Sequence, residues 1–407
     1  MSTTTTVDTL RFATAGSVDD GKSTLVGRLL HDSKSVLTDQ LEAVERASAS
    51  RGQEGPDLAL LTDGLRAERE QGITIDVAYR YFATPRRRFI LADTPGHVQY
   101  TRNMVTGAST AELTVILVDA RNGVVEQTRR HAAIAALLRV PHVVLAVNKM
   151  DLVGYEESVF AAITEEFGRL ADELGLPGCT PIPVSALAGD NVVDRSPRMA
   201  WYQGPALLEF LESVPVGGAR ADAPARFPVQ YVIRHGEVRQ YAGQLVSGTL
   251  RVGDRVTVHP SGVTSEITGI DVLGEEVRAA YAPQSIGVRL ADQRDIARGD
   301  MLTAGVDAPT LTQDVRAAVC HLAERPLRVG DRVLLRHTTR TVKAIVKDLG
   351  GAGELAANDL GRAVLRTAEP LALDDYAASR RTGAFILIDP SDGATLTAGM
   401  TDLGSRA

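Results

Sequence analysis

Gly16-Ser17-Val18-Asp19-Asp20-Gly21-Lys22-Ser23 (GSVDDGKS) follows an apolar run (Leu10, Phe12, Ala13) and precedes a helix-like run (Leu25, Val26, Leu29, Leu30). The string fits G-x-x-x-x-G-K-[ST], and strand, glycine loop and helix are the setting in which that pattern forms a phosphate cradle. Gly16 and Gly21 let the backbone turn so that several N–H groups point inward, and the following helix adds its positive end. Ser17, Val18, Asp19, Asp20 and Thr24 are expected to complete the cradle. Lys22 is expected to reach the β- and γ-phosphates of a nucleotide, and Ser23 to give its hydroxyl to Mg2+. A chance glycine turn before a helix is the bland alternative, and the partners downstream argue against it.

Asn148-Lys149-Met150-Asp151 closes the apolar run Val143 to Val147. A carboxylate there can accept from both N1–H and the 2-amino group of guanine, whereas adenine presents the opposite pattern, so Asp151 selects GTP over ATP. Asn148 and Lys149 are expected to brace the loop and cover the base. Ser185-Ala186-Leu187 follows a strand-like run and is expected to offer backbone donors to the guanine oxygen. The tripeptide is common and only corroborates.

Asp93-Thr94-Pro95-Gly96-His97 follows the strand-like Phe89 to Ala92. Asp93 is expected to hold Mg2+ through water, and the Gly96 N–H to contact the γ-phosphate. His97 stands where a side chain can orient the attacking water, because phosphoryl transfer asks mainly for positioning and charge stabilisation. The other seven histidines read as satisfied or solvated rings. Glu70 to Ile75 (EQGITI) lies between the two phosphate-site motifs. Thr74 is the candidate switch residue, completing Mg2+ coordination only while the γ-phosphate is present.

The set GSVDDGKS, GITI, DTPGH, NKMD and SAL resembles the translational GTPases, relatives of elongation factor Tu. Longer strings sharpen this: Ala67 to Phe82, Asp93 to Thr110, Trp201 to Glu212, Phe227 to Arg234 and Arg381 to Asp389 look like the GTPase subunit of bacterial ATP sulfurylase. The resemblance implies GTP and Mg2+ as cofactors. It also implies a small catalytic subunit as partner, which binds ATP and sulfate and makes adenylyl sulfate and diphosphate while GTP hydrolysis drives the reaction. Asp20 supports the placement, because elongation factors usually carry His at that loop position; Ser17 departs likewise. Some members continue into an adenylyl-sulfate kinase domain. With Ala407 the last residue and no second phosphate loop, this chain is expected to lack one. The run from Lys347 to Arg362 also looks shorter than is usual, which puts its contacts in doubt.

The 407 residues suggest two or three domains, and 44% hydrophobic with 23% charged residues is ordinary for a globular protein. A net charge of −7 offers no basic groove, so nucleic acid is not expected as a partner. Arg86-Arg87-Arg88 reads as a solvated turn after Pro85. Cys179 and Cys320 share no motif and are expected as small buried groups in a reducing compartment. No apolar run reaches membrane-spanning length, so no membrane is expected and the cytoplasm is the default.

After a polar tail (1–9), residues 10–214 alternate strand and helix patterns. Strands are expected at Arg11–Ala15, Ile75–Ala83, Arg88–Asp93, Leu113–Asp119, His142–Asn148 and Thr180–Ser185. Helices are expected at Lys22–His31, Val98–Gly107, Glu126–Leu138, Ser158–Leu174 and Pro205–Ser213. This predicts an α/β phosphate-loop GTPase domain, doubly wound and mostly parallel, with ligand at the strand carboxyl ends. Ser33 to Leu61 reads as a mobile connection. Residues 215–224 (PVGGARADAP) form a linker, after which short β-branched runs between Gly and Asp turns predict two β-barrels, 225–308 and 309–407. Leu250 to Asp254 (LRVGD) is mirrored by Leu327 to Asp331, each a turn into the next strand. Neither barrel carries a catalytic cluster. An elongation factor delivering aminoacyl-tRNA shares the architecture and is the alternative; a non-catalytic GTP-dependent scaffold is a third, disfavoured by Thr74 and His97.

Overall fold

The computed structural model describes residues 8–34, 38–50, 56–61, 77–96, 101–217, 222–236 and 238–404. The chain divides into two compact units, Met1–Val216 and Gly217–Ala407.

The first unit is built on β1 (Thr9–Ala15), β2 (Ala78–Ala83), β3 (Arg88–Asp93), β4 (Leu113–Asp119), β5 (His142–Asn148) and β6 (Cys179–Pro183), in the order β2-β3-β1-β4-β5-β6. All neighbours are parallel except β2 on β3. Every residue of β4 is buried, as expected of a central parallel strand covered on both faces. The described α-helices of this unit are α1 (Lys22–Asp32), α2 (Thr38–Ser50), α3 (Thr101–Ser109), α4 (Glu126–Leu137), α5 (Glu157–Leu174) and α6 (Leu207–Ser213).

One core cluster joins Leu25 and Leu29 of α1 and Leu207 and Leu211 of α6 to the sheet residues Leu10, Phe12, Phe82, Phe89 and Leu91. Phe82 stacks on Phe89 with centroids 4.6 Å apart, and Phe12 meets both edge-on at 6.3 Å. A second cluster is thin, Ala13, Ala92 and Ala111. A Cβ on Gly107 of α3 would lie 2.7 Å from the Thr94 methyl, so only glycine permits that approach.

Three sequence expectations are corrected here. Ser33 to Leu61, expected as a mobile connection, carries secondary structure the sequence reading left out: α2 buries Val44 and Ser48, and a 3-10 turn at Leu58–Leu61 buries Leu58. Its carbonyl fills the space over Gly27, where a Cβ could not fit. Arg87 is not solvated but buried, its guanidinium donating to the Leu211 and Val214 carbonyls at 2.9 and 2.6 Å. An arginine thus satisfies carbonyls left open at the C-terminus of α6. Cys320 is buried, as expected, but Cys179 is only half-buried.

The second unit holds two barrels. The first comprises β7 (Ala225–His235), β8 (Val238–Gln244), β9 (Thr249–Arg251), β10 (Arg255–His259), β11 (Val263–Val272), β12 (Glu275–Val277), β13 (Ala279–Tyr281), β14 (Ser285–Leu290) and β15 (Met301–Ala304). The order β10-β15-β7-β8-β14-β11 closes through β10 on β11. The second comprises β16 (Thr310–His321), β17 (Leu327–Arg328), β18 (Arg332–His337), β19 (Arg340–Asp348), β20 (Glu354–Leu355), β21 (Leu360–Leu373), β22 (Ala384–Ile388) and β23 (Thr395–Thr401), closed as β16-β21-β19-β18-β22-β23.

The repeated LRVGD strings adopt one geometry. Gly253 and Gly330 stand at φ 92° and 93°, and the Asp254 and Asp331 carboxylates accept from the Arg251 and Arg328 N–H groups. The short run after Lys347 does make a contact: β20 pairs with β17, and Glu354 accepts from Arg328 at 2.7 Å.

The barrels are tied by Arg226, 4% exposed, whose guanidinium meets the Asp374 carboxylate with two hydrogen bonds of 2.9 Å. Thr382 donates to the same carboxylate at 2.6 Å. Arg226→Ala strands that carboxylate, and by the usual cost of breaking a buried pair should lower stability by about 3–5 kcal/mol. Urea unfolding followed by circular dichroism measures this; a loss near zero contradicts the role given to the pair.

Candidate nucleotide-binding site

Parallel register brings the carboxyl ends of the central strands level: Thr14 faces Asp93, and Asp119 faces Asn148. β1 lies between β3 and β4, the switch point where an open parallel sheet leaves a crevice, and the phosphate loop leaves β1 into that crevice.

Within the loop, Gly21 takes φ 88°, a conformation that costs glycine little. A Cβ there would sit 2.5 Å from the Asn148 side-chain nitrogen. The buried Asp20 carboxylate accepts the Ser17 N–H, closing the loop on itself. Lys22 Nζ is buried and donates to the Gly16 and Ser17 carbonyls, both at 2.8 Å. Burial pushes the Lys22 ammonium below its ordinary value, against the pull of Asp93, Asp20 and Asp19. Burial likewise raises Asp20, opposed by the Ser17 N–H and Lys22. Val18 and Asp19 are exposed, and Ser23 and Thr24 half-buried on the first turn of α1.

The Asp93 loop lies directly on this loop. A Cβ on Gly96 would collide with Lys22 Nζ and stand 2.8 Å from the Gly16 carbonyl. Asp93 is buried and accepts the Thr14 hydroxyl at 3.0 Å, while Thr94 donates to the Thr14 carbonyl. Thr74 and His97 lie outside the described residues.

At the other end, Asn148, 1% exposed, bridges two loops: its amide donates to the Asp20 carbonyl at 2.7 Å and its oxygen accepts the Ala186 N–H at 2.9 Å. Ser185 is buried and donates to the Asp151 carboxylate at 2.6 Å. Leu187 is 72% exposed. The structure therefore brings the phosphate loop, Asp93, Gly96, the Asn148–Asp151 loop and Ser185–Leu187 to one edge of the sheet.

Three further side chains build this edge without having been singled out in the sequence. Arg28 of α1 donates to the Ala186 carbonyl at 3.2 Å and to the Leu187 carbonyl. Asp119, 2% exposed at the end of β4, stands 3.0 Å from Lys149 Nζ and receives Arg121 through its backbone N–H and two guanidinium donors. Asp190 ties together the segments behind the base loop. An Asp ending an apolar strand level with Asn148 was the available signal for Asp119. Among the described residues no group of three or more His, Cys, Asp or Glu is placed to hold a metal. No described helix is long and apolar enough to cross a membrane.

This fold and edge define a GTP-binding domain of the translational type: residues 7–216 match the Elongation factor Tu GTP binding domain family, and 314–402 the GTP-eEF1A C-terminal domain-like family. The GTPase-like domain of Saccharomyces cerevisiae Ski7, solved with GDP and inorganic phosphate, shares the fold at TM-score 0.55 and 16% identity, covering 98% of each chain. Sulfate adenylyltransferase subunit 1 of Aeromonas salmonicida is 49% identical over 98% of this chain and 88% of its own, and that of Cellvibrio japonicus 47% over 96% and 86%. The bifunctional enzyme CysN/CysC of Mycobacterium tuberculosis is 54% identical over 98% of this chain, which spans 68% of that protein. The chain belongs to the sulfate adenylyltransferase subunit 1 family.

Burial raises the Asp119 carboxyl, but the Arg121 hydrogen bonds and Lys149 outweigh it and hold the group well below the ordinary carboxylate range. A depressed folded-state value means that this stability is present above the unfolded-state value, about 3.9, and lost as pH falls through the folded one. Asp119→Asn should therefore lower the thermal midpoint at pH 7, with the gap from the parent shrinking below about pH 4. Calorimetry across pH 3 to 8 measures it, and a gap that widens toward acid contradicts the assignment.

Proposed function

We propose that this chain is the GTPase subunit of a sulfate-activating complex, a cytoplasmic protein that binds GTP and Mg2+ while a small subunit joins ATP and sulfate into adenylyl sulfate and diphosphate. The observation that supports the reading is the crevice at the strand ends, where the buried Lys22, the close approaches at Gly21 and Gly96, and the Asp151 carboxylate held by Ser185 converge. The sulfate adenylyltransferase relatives supply the reaction.

The backbone N–H groups of Gly16 to Thr24, with Lys22, hold the phosphates. Asp151, aligned by Ser185, takes the two guanine donors, and the Ala186 region meets the guanine oxygen. Asn148 and Lys149 brace that loop. Two side chains suit a hydrated divalent cation by their chemistry: the Ser23 hydroxyl on the first turn of α1 and the buried Asp93 carboxylate beside the Lys22 charge. Thr74 completes that set in the triphosphate state. Bound Mg2+ supplies neutralisation of phosphate charge. His97 orients the attacking water, so its contribution belongs to the transition state rather than to binding.

Relatives named sulfate adenylyltransferase subunit 1 favour a two-subunit division of labour. The described residues hold one phosphate loop and one base-reading carboxylate, which leaves adenylyl transfer to another polypeptide. The elongation-factor reading is disfavoured by Asp20, whose carboxylate closes the loop on Ser17.

The test is reconstitution with the small subunit. The chain alone should bind GTP, hydrolyse it slowly and make no adenylyl sulfate. The pair should show faster hydrolysis and a GTP-dependent rise in adenylyl sulfate that a non-hydrolysable analogue does not sustain. Lys22→Ala should abolish tight binding, and His97→Ala should bind normally and turn over slowly. Adenylyl sulfate made by this chain alone overturns the proposal.

A further inference from the structure

Behind the base loop lies a side-chain knot built largely from residues outside the phosphate and base motifs. The loop after β5 runs from Asn148 through Asp151 to Tyr155, and the loop after β6 runs from Ser185 to Asp190. The two meet at their near ends through the Ser185 hydroxyl on the Asp151 carboxylate, 2.6 Å. They meet again at their far ends, where the Tyr155 hydroxyl donates to the Asp190 carboxylate at 2.9 Å. Asp190 also accepts the Ser196 hydroxyl at 2.6 Å and Arg198 at 3.2 Å. Arg198 donates to the Tyr155 oxygen at 2.9 Å and stands 5.6 Å from the Tyr155 ring centroid. Trp201 fixes the Tyr155 backbone, its indole N–H donating to the Tyr155 carbonyl at 3.0 Å.

Each loop is thereby held at both ends. Tyr155 takes a left-handed backbone at φ 58°, a conformation kept by its surroundings, and its N–H returns to the Met150 carbonyl. Asp190 pairs backbone to backbone with Ser185, the residue that aligns Asp151. A shift of the Tyr155–Asp190 contact passes through only three intervening residues on one side and four on the other before it reaches the Asp151–Ser185 contact. Ser196, Arg198 and Trp201 come from the segment just before α6, outside every phosphate or base motif.

We infer that Tyr155 and Asp190 are positioning residues for guanine selection: their hydrogen bond sets the distance between the Asp151 carboxylate and the Ser185–Ala186 backbone. The inference rests on Asp151 reading the base. Two well-placed acceptors distinguish guanine from hypoxanthine, which lacks the 2-amino donor, so the ratio of GTP to inosine triphosphate affinity reports carboxylate placement. Overall affinity, which the phosphate loop dominates, does not.

Tyr155→Phe removes one hydroxyl and keeps the ring under Arg198, so the fold should survive; Asp190→Asn tests the other partner. Both affinities are measured by equilibrium binding on the full chain, alongside Asp151→Asn and the Tyr155→Phe/Asp151→Asn double variant. The expected result is a GTP preference over inosine triphosphate in the parent, lowered on the order of threefold or more by Tyr155→Phe, the scale of one imperfect hydrogen bond. The same substitution should change the ratio little once Asp151 is Asn, because the group being positioned is gone. An unchanged ratio in Tyr155→Phe and Asp190→Asn, with the parent still selective and Asp151→Asn not, overturns the positioning role alone. No preference in the parent, or a ratio indifferent to Asp151→Asn, overturns the base assignment and the inference with it.

Discussion

The side chain of Asn148 is the contact on which the arrangement of the crevice depends. It is the last residue of a central strand, almost fully buried, and spends its donor on the phosphate loop and its acceptor on the loop after β6. Two loops more than a hundred residues apart in the chain are thus spaced by one amide. Burial makes the arrangement exacting, because an unpaired polar atom there costs about 1–3 kcal/mol. Gly21 is part of the same constraint, since its φ and the absence of a Cβ let Asn148 approach.

Around that amide the charges alternate. Lys22 lies among Asp19, Asp20 and Asp93, and Lys149 and Arg121 share Asp119. Such groups are costly to bury singly and tolerable when paired and hydrogen-bonded. The sheet supplies the pairing, because parallel register brings Asp119 level with Asn148 and Asp93 level with Thr14. The barrels place their buried charge differently: Arg226 and Asp374 join one barrel to the other.

The doubly wound domain, the two barrels and the motif loops were legible because each rests on local chemistry: apolar periodicity, glycines where the backbone must turn, and acid, amide and lysine at strand ends. What escaped depends on partners distant in sequence. Arg87 reads as one of three surface arginines until α6 brings its open carbonyls. Arg28 is an ordinary helix residue until the Ala186 carbonyl meets it, and Asp190 is one more loop aspartate until Tyr155, Ser196 and Arg198 converge on it. α2 was missed because its many polar residues resemble those of a loop. Thr74 and His97 lie outside the described residues, and the roles proposed for them rest on their sequence motifs alone.

The central claim is that one crevice, organised by Asn148, recognises a guanine nucleotide with its phosphates. Titration calorimetry of the purified chain with GTP and with ATP, each with and without Mg2+, tests it most directly. The account predicts one GTP per chain, tighter with Mg2+, and no measurable ATP binding at concentrations that saturate GTP. Equal affinity for the two nucleotides, or a second nucleotide bound per chain, would contradict it.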